Sequence, residues 1–157
     1  MKKIKCIPAF FAVAVVLSLA SCEDEIVRES THTDASAMVA GTYTGTLSLD
    51  TATTFSDVTV IITKIEADSV QAVTINVKAA NFNYTGALGM DVYANLNVAK
   101  ANDDYEFSSG FASTLRLIGR LRNNDLYMKL PIQVRSSNKE VRFHTNGIDW
   151  VFNGTKI

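Results

Sequence analysis

From Thr85 to Lys100 the chain alternates with period two: Leu88, Met90, Val92, Ala94, Leu96 and Val98 fall on one side, and Asp91, Tyr93, Asn95 and Asn97 on the other. Successive side chains point to opposite faces only in an extended strand, whereas a helix would spread these apolar positions around its circumference. The pattern recurs in shorter runs. At residues 39–49, Gly41, Tyr43, Gly45, Leu47 and Leu49 oppose Thr42, Thr44, Thr46 and Ser48. At 70–79, Val73, Ile75 and Val77 oppose Thr74, Asn76 and Lys78; at 126–135, Leu126, Met128, Leu130, Ile132 and Val134 share a face. Further short strands are expected at 58–65, 105–108, 114–122, 141–145 and 149–157. Turn chemistry separates the runs: Asp50 to Thr53, Glu66 to Ser69, a loop at Asn81 to Tyr84, Ala101 to Asp104, and Asn123 to Asp125. Asn146-Gly147 reads as a tight hairpin between the last two strands. Pro131 removes one ladder donor from its run, which predicts an edge or a bulge there. No long helical period occurs.

Eight or nine short strands joined mostly by tight turns favour a meander of antiparallel neighbours. A twisted meander of that size tends to close, because closure removes the unpaired edges. The expected fold is therefore all-β, a closed or nearly closed antiparallel meander barrel of about eight strands. Such a barrel is just wide enough to be filled by side chains or to hold one small ligand. The apolar faces are dense with Leu, Ile, Met and Phe, which favours a filled interior. Tyr43, Met90, Met128, Phe143 and Trp150 are the candidates for lining a cavity, with Tyr43 and Trp150 placed near a mouth.

The N-terminal end carries a different signal. Lys2, Lys3 and Lys5 precede an apolar run from Ile7 to Leu19, and then come Leu19-Ala20-Ser21-Cys22. A charged start, an apolar core and small residues form a secretory leader, and the run is shorter than the roughly 20 residues a spanning helix needs. The four residues ending in Cys22 resemble the lipobox of bacterial lipoproteins. That resemblance implies lipid on the Cys22 thiol, a leader at residues 1–21, and a membrane partner reached through the anchor. Glu23-Asp24-Glu25 follow, and a short acidic run at this place is similar to the export signal of Bacteroidetes surface lipoproteins. It implies an outer-membrane protein facing the exterior. Residues 22–38 are polar and aperiodic and are expected to be a flexible spacer.

Composition narrows the function. With the three leader lysines removed, 12 basic residues face 16 acidic ones, an acidic balance that argues against nucleic acid as a partner. The two cysteines are Cys6, in the leader, and Cys22. Neither a disulfide nor a thiolate metal site is available to residues 39–157, so stability must come from a packed core.

The first strand, Val39-Ala40-Gly41-Thr42-Tyr43-Thr44-Gly45-Thr46-Leu47, together with Leu126 to Val134 and Val151 to Lys156, resembles the calycin-like β-barrel domain of Bacteroidetes lipoproteins. The likeness covers residues 39–157 and implies a lipocalin-like architecture in a cell-surface setting. Lipocalins proper carry Gly-x-Trp in the first strand, where this chain has Gly41-Thr42-Tyr43.

Catalytic patterns are sparse. His32 lies in the spacer and His144 in a strand, where it faces Asp149 across the expected hairpin; no His, Cys and carboxylate spacing suits a metal, and no cofactor motif occurs. Asp91, Glu106 and His144 are the weakest candidates, for an assembled enzymatic site. Arg116, Arg120 and Arg122 recur at even spacing along one strand face and form a candidate strip for anionic ligands or a partner's carboxylates. The expected role is non-enzymatic: an anchored surface protein binding a small hydrophobic molecule or another surface protein. The alternative is a structural or interaction module of an outer-membrane surface complex.

Overall fold

The computed structural model describes residues 34–66, 71–109 and 116–157. The leader, the lipobox with Cys22, the acidic run and the spacer up to Thr33 lie outside the described residues. From Gly41 onward alternation becomes sheet, in nine strands: β1 (Gly41–Ser48), β2 (Thr54–Lys64), β3 (Ala72–Tyr84), β4 (Ala87–Ala101), β5 (Asp104–Ser109), β6 (Arg116–Arg122), β7 (Asp125–Val134), β8 (Val141–Phe143) and β9 (Ile148–Lys156). They form one antiparallel sheet in the order β6-β5-β4-β3-β2-β1-β9-β7-β8, and a further β6–β7 pairing closes eight of them into a ring. The all-β, nearly closed barrel read from the sequence is what the chain adopts. Strand β8 stands outside the ring.

The interior follows from the alternation. Leu47, Val58, Val60, Val73, Phe107, Met128, Leu130 and Phe152 are fully buried, and Ile62, Ile75, Val77, Leu96 and Leu126 are within 2% of it. Every ring strand contributes apolar side chains to this core, each removed from water at roughly 25 cal/mol per Å² of apolar surface. Both ends are occupied. At one end Trp150 packs against Tyr84, Phe82 and Phe55, with ring centroids 5.0, 5.6 and 5.9 Å away. At the other lies a helix that the sequence reading assigned to spacer.

Helix α1 (Ala35–Val39) is five residues long, too short to persist without packing. Asp34 caps it, with Oδ1 accepting from Ser36 N at 3.1 Å, Ser36 Oγ at 2.5 Å and Ala37 N at 3.4 Å. Ala35 and Val39 are fully buried, and Tyr43 Oη donates to Val39 O at 2.7 Å. Residues 34–38, expected to be spacer, are therefore docked structure. The weak period of Ala35-Ser36-Ala37-Met38-Val39 hid a helix that only the barrel end stabilises.

Two turns also differ from expectation. Residues Asn81–Tyr84 are strand rather than loop, and the β3–β4 reversal falls on Thr85 and Gly86, with φ of 48° and 79°. Glycine suits that left-handed backbone. The second difference is larger. Strands β8 and β9 share no ladder, so Asn146-Gly147 does not close a hairpin. Instead β8 pairs with one edge of β7 (Ile132 opposite Phe143) and β9 with the other (Ile132 opposite Ile148). The β6–β7 ladder covers only Asp125 to Met128, although β6 itself begins at Arg116, and beyond that ladder the same edge of β7 is taken by β8. Residues 144–147 cross over β7 at Pro131, whose carbonyl accepts from His144 N at 2.8 Å. A Cβ on Gly147 would stand 2.7 Å from the Pro131 carbonyl carbon and 2.8 Å from that of Ile132. Glycine is required here for close approach, and Pro131 is buried beneath the crossing rather than at a free edge.

A candidate cleft in the barrel wall

Strand β5 pairs with β4 only along Asn97–Ala101. Before Asn97, β4 runs beside β8, and no ladder joins the two. Where the paired wall gives way to this unladdered seam, a cleft of about 620 Å³ opens. Its apolar floor is Ala94, Leu96 and Phe143; its rim is Asn95, Asn97, Ser109, His144 and Thr145. The floor comes from inward-facing positions of β4 and from β8, and the carboxamides from the outward positions of the same stretch of β4. Among the described residues five polar side chains surround three apolar ones, and none of these is a carboxylate, a lysine or an arginine.

Local bonds orient the rim. Asn95 Oδ1 accepts from Thr74 Oγ1 at 2.9 Å, so its Nδ2 is left as the group presented outward. His144 Nδ1 accepts from Asn146 N at 3.2 Å, which leaves Nε2 to carry the ring proton. The crossing over β7 thus fixes both the position and the tautomer of His144.

The five candidate lining residues do not meet. Tyr43, Met128 and Trp150 are essentially inaccessible, at 0%, 0% and 1%, and Met90 is 6% exposed. Tyr43 pairs with Lys156, six positions along β9 from Trp150, so they stand roughly 20 Å apart toward opposite ends. Burial pushes the Tyr43 hydroxyl up to about 12. Only Phe143, half-buried on β8, reaches the cleft.

Each of the three arginines has a carboxylate partner. Arg122 Nε and Nη2 donate to the two oxygens of Asp104 at 2.8 and 3.0 Å, and Arg120 Nε donates to Glu106 at 3.1 Å. Arg116 pairs with Asp149. Asp104 and Glu106 sit directly opposite Arg122 and Arg120 in the β5–β6 register. The Arg122 guanidinium holds the Asp104 carboxyl below its ordinary range, and Asp104 in turn raises Arg122. Asp149 is therefore engaged away from His144. Asp91 is engaged too, accepting from Asn76 Nδ2 at 2.8 Å. Asp91, Glu106 and His144 thus serve three separate interactions. Among the described residues no group of three or more His, Cys, Asp and Glu side chains is placed to hold a metal ion.

No family model, curated protein or solved structure matches this chain. The fold and the cleft are what a functional reading has to stand on.

Sequence reasoning placed Asn95 and Asn97 on the wet face of β4 but did not single them out. Their significance depends on where β5 stops and where β8 lies. Neither is written in the local pattern.

Proposed function

We propose that this chain is a lipid-anchored, non-catalytic surface lipoprotein of the calycin-like kind, held at the outer membrane through Cys22, whose barrel binds a small uncharged molecule in the wall cleft. The observation that carries the reading is the contrast between an interior occupied by side chains and a cleft of about 620 Å³ with an apolar floor and a polar, uncharged rim. Small-molecule sites combine an apolar body with a few placed polar groups, which is what this composition offers. An axial ligand would have to displace Trp150, Phe82 and Phe152. A wall ligand enters space that the described side chains leave open.

Two measurements test this reading. Phe143→Ala removes the aromatic floor and should abolish the chemical-shift changes that uncharged small molecules produce at Asn95, Asn97 and His144. Unchanged perturbations would exclude the cleft. Cys22→Ser should move the protein from the detergent phase to the aqueous phase, because two or three acyl chains at about 0.8 kcal/mol per buried CH₂ hold a protein at a bilayer. A variant that stays with the detergent refutes the anchor.

A further inference from the structure

The rim of the cleft continues onto the outside of the barrel. Along β4 the outward positions are Asp91, Tyr93, Asn95 and Asn97, and Asn95 and Asn97 also line the cleft. Tyr93 is 61% exposed, an unusual position for a large aromatic ring on an otherwise polar sheet face. It stands two residues, about 7 Å, from Asn95 on the same face. Opposite them on β3 are Asn76 and Thr74. Asn76 is only 7% exposed; its Nδ2 holds Asp91, while its Oδ1 has no hydrogen-bond partner. Held amides and hydroxyls therefore run from the cleft to an exposed ring.

Resting on the cleft reading above, we propose that the ligand is a neutral oligosaccharide, one sugar ring seated over Phe143 in the cleft and the next lying along β4 against Tyr93. A sugar ring has a face of C–H groups and an edge of hydroxyls that both donate and accept. Phe143 and Tyr93 supply two aromatic surfaces for such faces. The Asn95 and Asn97 carboxamides, the Ser109 and Thr145 hydroxyls and His144 Nε2 supply donors and acceptors for the edges. Competing ligands fit less well. An alkyl chain would desolvate five polar groups and satisfy none, and each group left bare opposes binding. An acidic ligand meets no cation among the described residues of the lining, and Arg116, Arg120 and Arg122 already hold carboxylates.

The full chain in its lipid-free Cys22→Ser form is titrated calorimetrically with maltotetraose, cellotetraose and mannotetraose, and with monolaurin and laurate as non-sugar probes. A tetrasaccharide is expected to bind, with affinity lowered about tenfold by Asn95→Leu, which removes the rim amide. Tyr93→Ala, at an exposed position that does not threaten folding, should weaken the tetrasaccharide several-fold and leave its monosaccharide unaffected. A tetrasaccharide indifferent to Tyr93→Ala overturns the outer subsite. Binding of monolaurin but of no sugar, lost in Asn95→Leu, overturns the carbohydrate inference and leaves the cleft as a binding site. If neither set shows binding that depends on Asn95 or Phe143, both the inference and the cleft reading fall.

Discussion

Gly147 shows how one residue decides a connection. In sequence, Asn146-Gly147 carries the strongest local signal for a two-residue hairpin, yet its glycine serves a backbone crossing rather than a reversal. The chain passes so near Pro131 and Ile132 that a Cβ would come within 2.8 Å of their carbonyl carbons. Both neighbours are backbone atoms of a strand paired on two edges, so neither can give way. Gly147→Ala should therefore destabilise the fold by about 1–3 kcal/mol, the usual range for overpacking. Asn146→Ala, exposed on the same crossing, should stay within about 0.5 kcal/mol. Paired urea denaturation curves measure the difference, and equal midpoints would mean that the crossing is looser than described. His144 depends on the same contact, since its backbone N–H donates to the Pro131 carbonyl and so holds it at the rim of the cleft.

At the scale of elements, α1 is a small helix with a charge-dependent attachment. Asp34 caps it and Lys64 on β2 pairs with Asp34 at 2.9 Å, so one carboxylate ties the helix start to the barrel. The Ser36 hydroxyl first, and Lys64 next, bring the Asp34 pKa from 3.8 to about 2. A carboxylate with a depressed folded pKa contributes stability that is complete above its unfolded value and lost as pH falls through its folded one. The advantage of the native chain over Asp34→Asn should therefore be constant above 3.8 and vanish as the pH approaches 2. Denaturation at a series of acid pH values reads this directly. A difference independent of pH would show that the negative charge of Asp34 contributes nothing to holding the helix. The β5–β6 ladder is also set by charge, with Asp104 and Glu106 facing Arg122 and Arg120. What looks like a cationic strip in the sequence is a row of cross-strand ion pairs.

At the scale of the whole fold, the described residues form a ring whose interior is occupied and whose wall has an unladdered seam between β4 and β8. Trp150 sits inside that ring, 1% exposed and edge-on to Tyr84 with an interplanar angle of 87°. Its emission should be blue-shifted and nearly immune to acrylamide in the native state, becoming accessible only on unfolding. Ligands in the wall cleft should leave that protection intact. Strong native-state quenching by acrylamide, or by a hydrophobic dye, would mean that the axis is open after all.

Much of this architecture was legible in the chain. The alternation along β4, the opposed faces of β1 and β3, and the apolar row Leu126 to Val134 fixed strand identity and the direction of each face, because a period of two is a local property of extended backbone. The closure of about eight strands followed from short connections. Tyr43, Met90, Met128 and Trp150 were correctly read as lying on apolar faces, but proximity within a cavity is not a local property. Whether an inward side chain lines space or fills it depends on seven other strands. The helix at Ala35–Val39 escaped notice because its stability comes from the barrel end it covers.

The sequence by itself determined that this chain makes a sheet, which way its side chains face, and that no thiol in residues 39–157 helps to hold it together, since each of these follows from residue type and neighbour spacing. Only the tertiary structure decided that the β6–β7 ladder stops at Met128, that β8 and β9 take opposite edges of β7, and that Asn95, Asn97, Phe143 and His144 come together as a cleft. Strand length and register are settled by pairing between segments far apart in the chain, and so the site they create is invisible in any one of them.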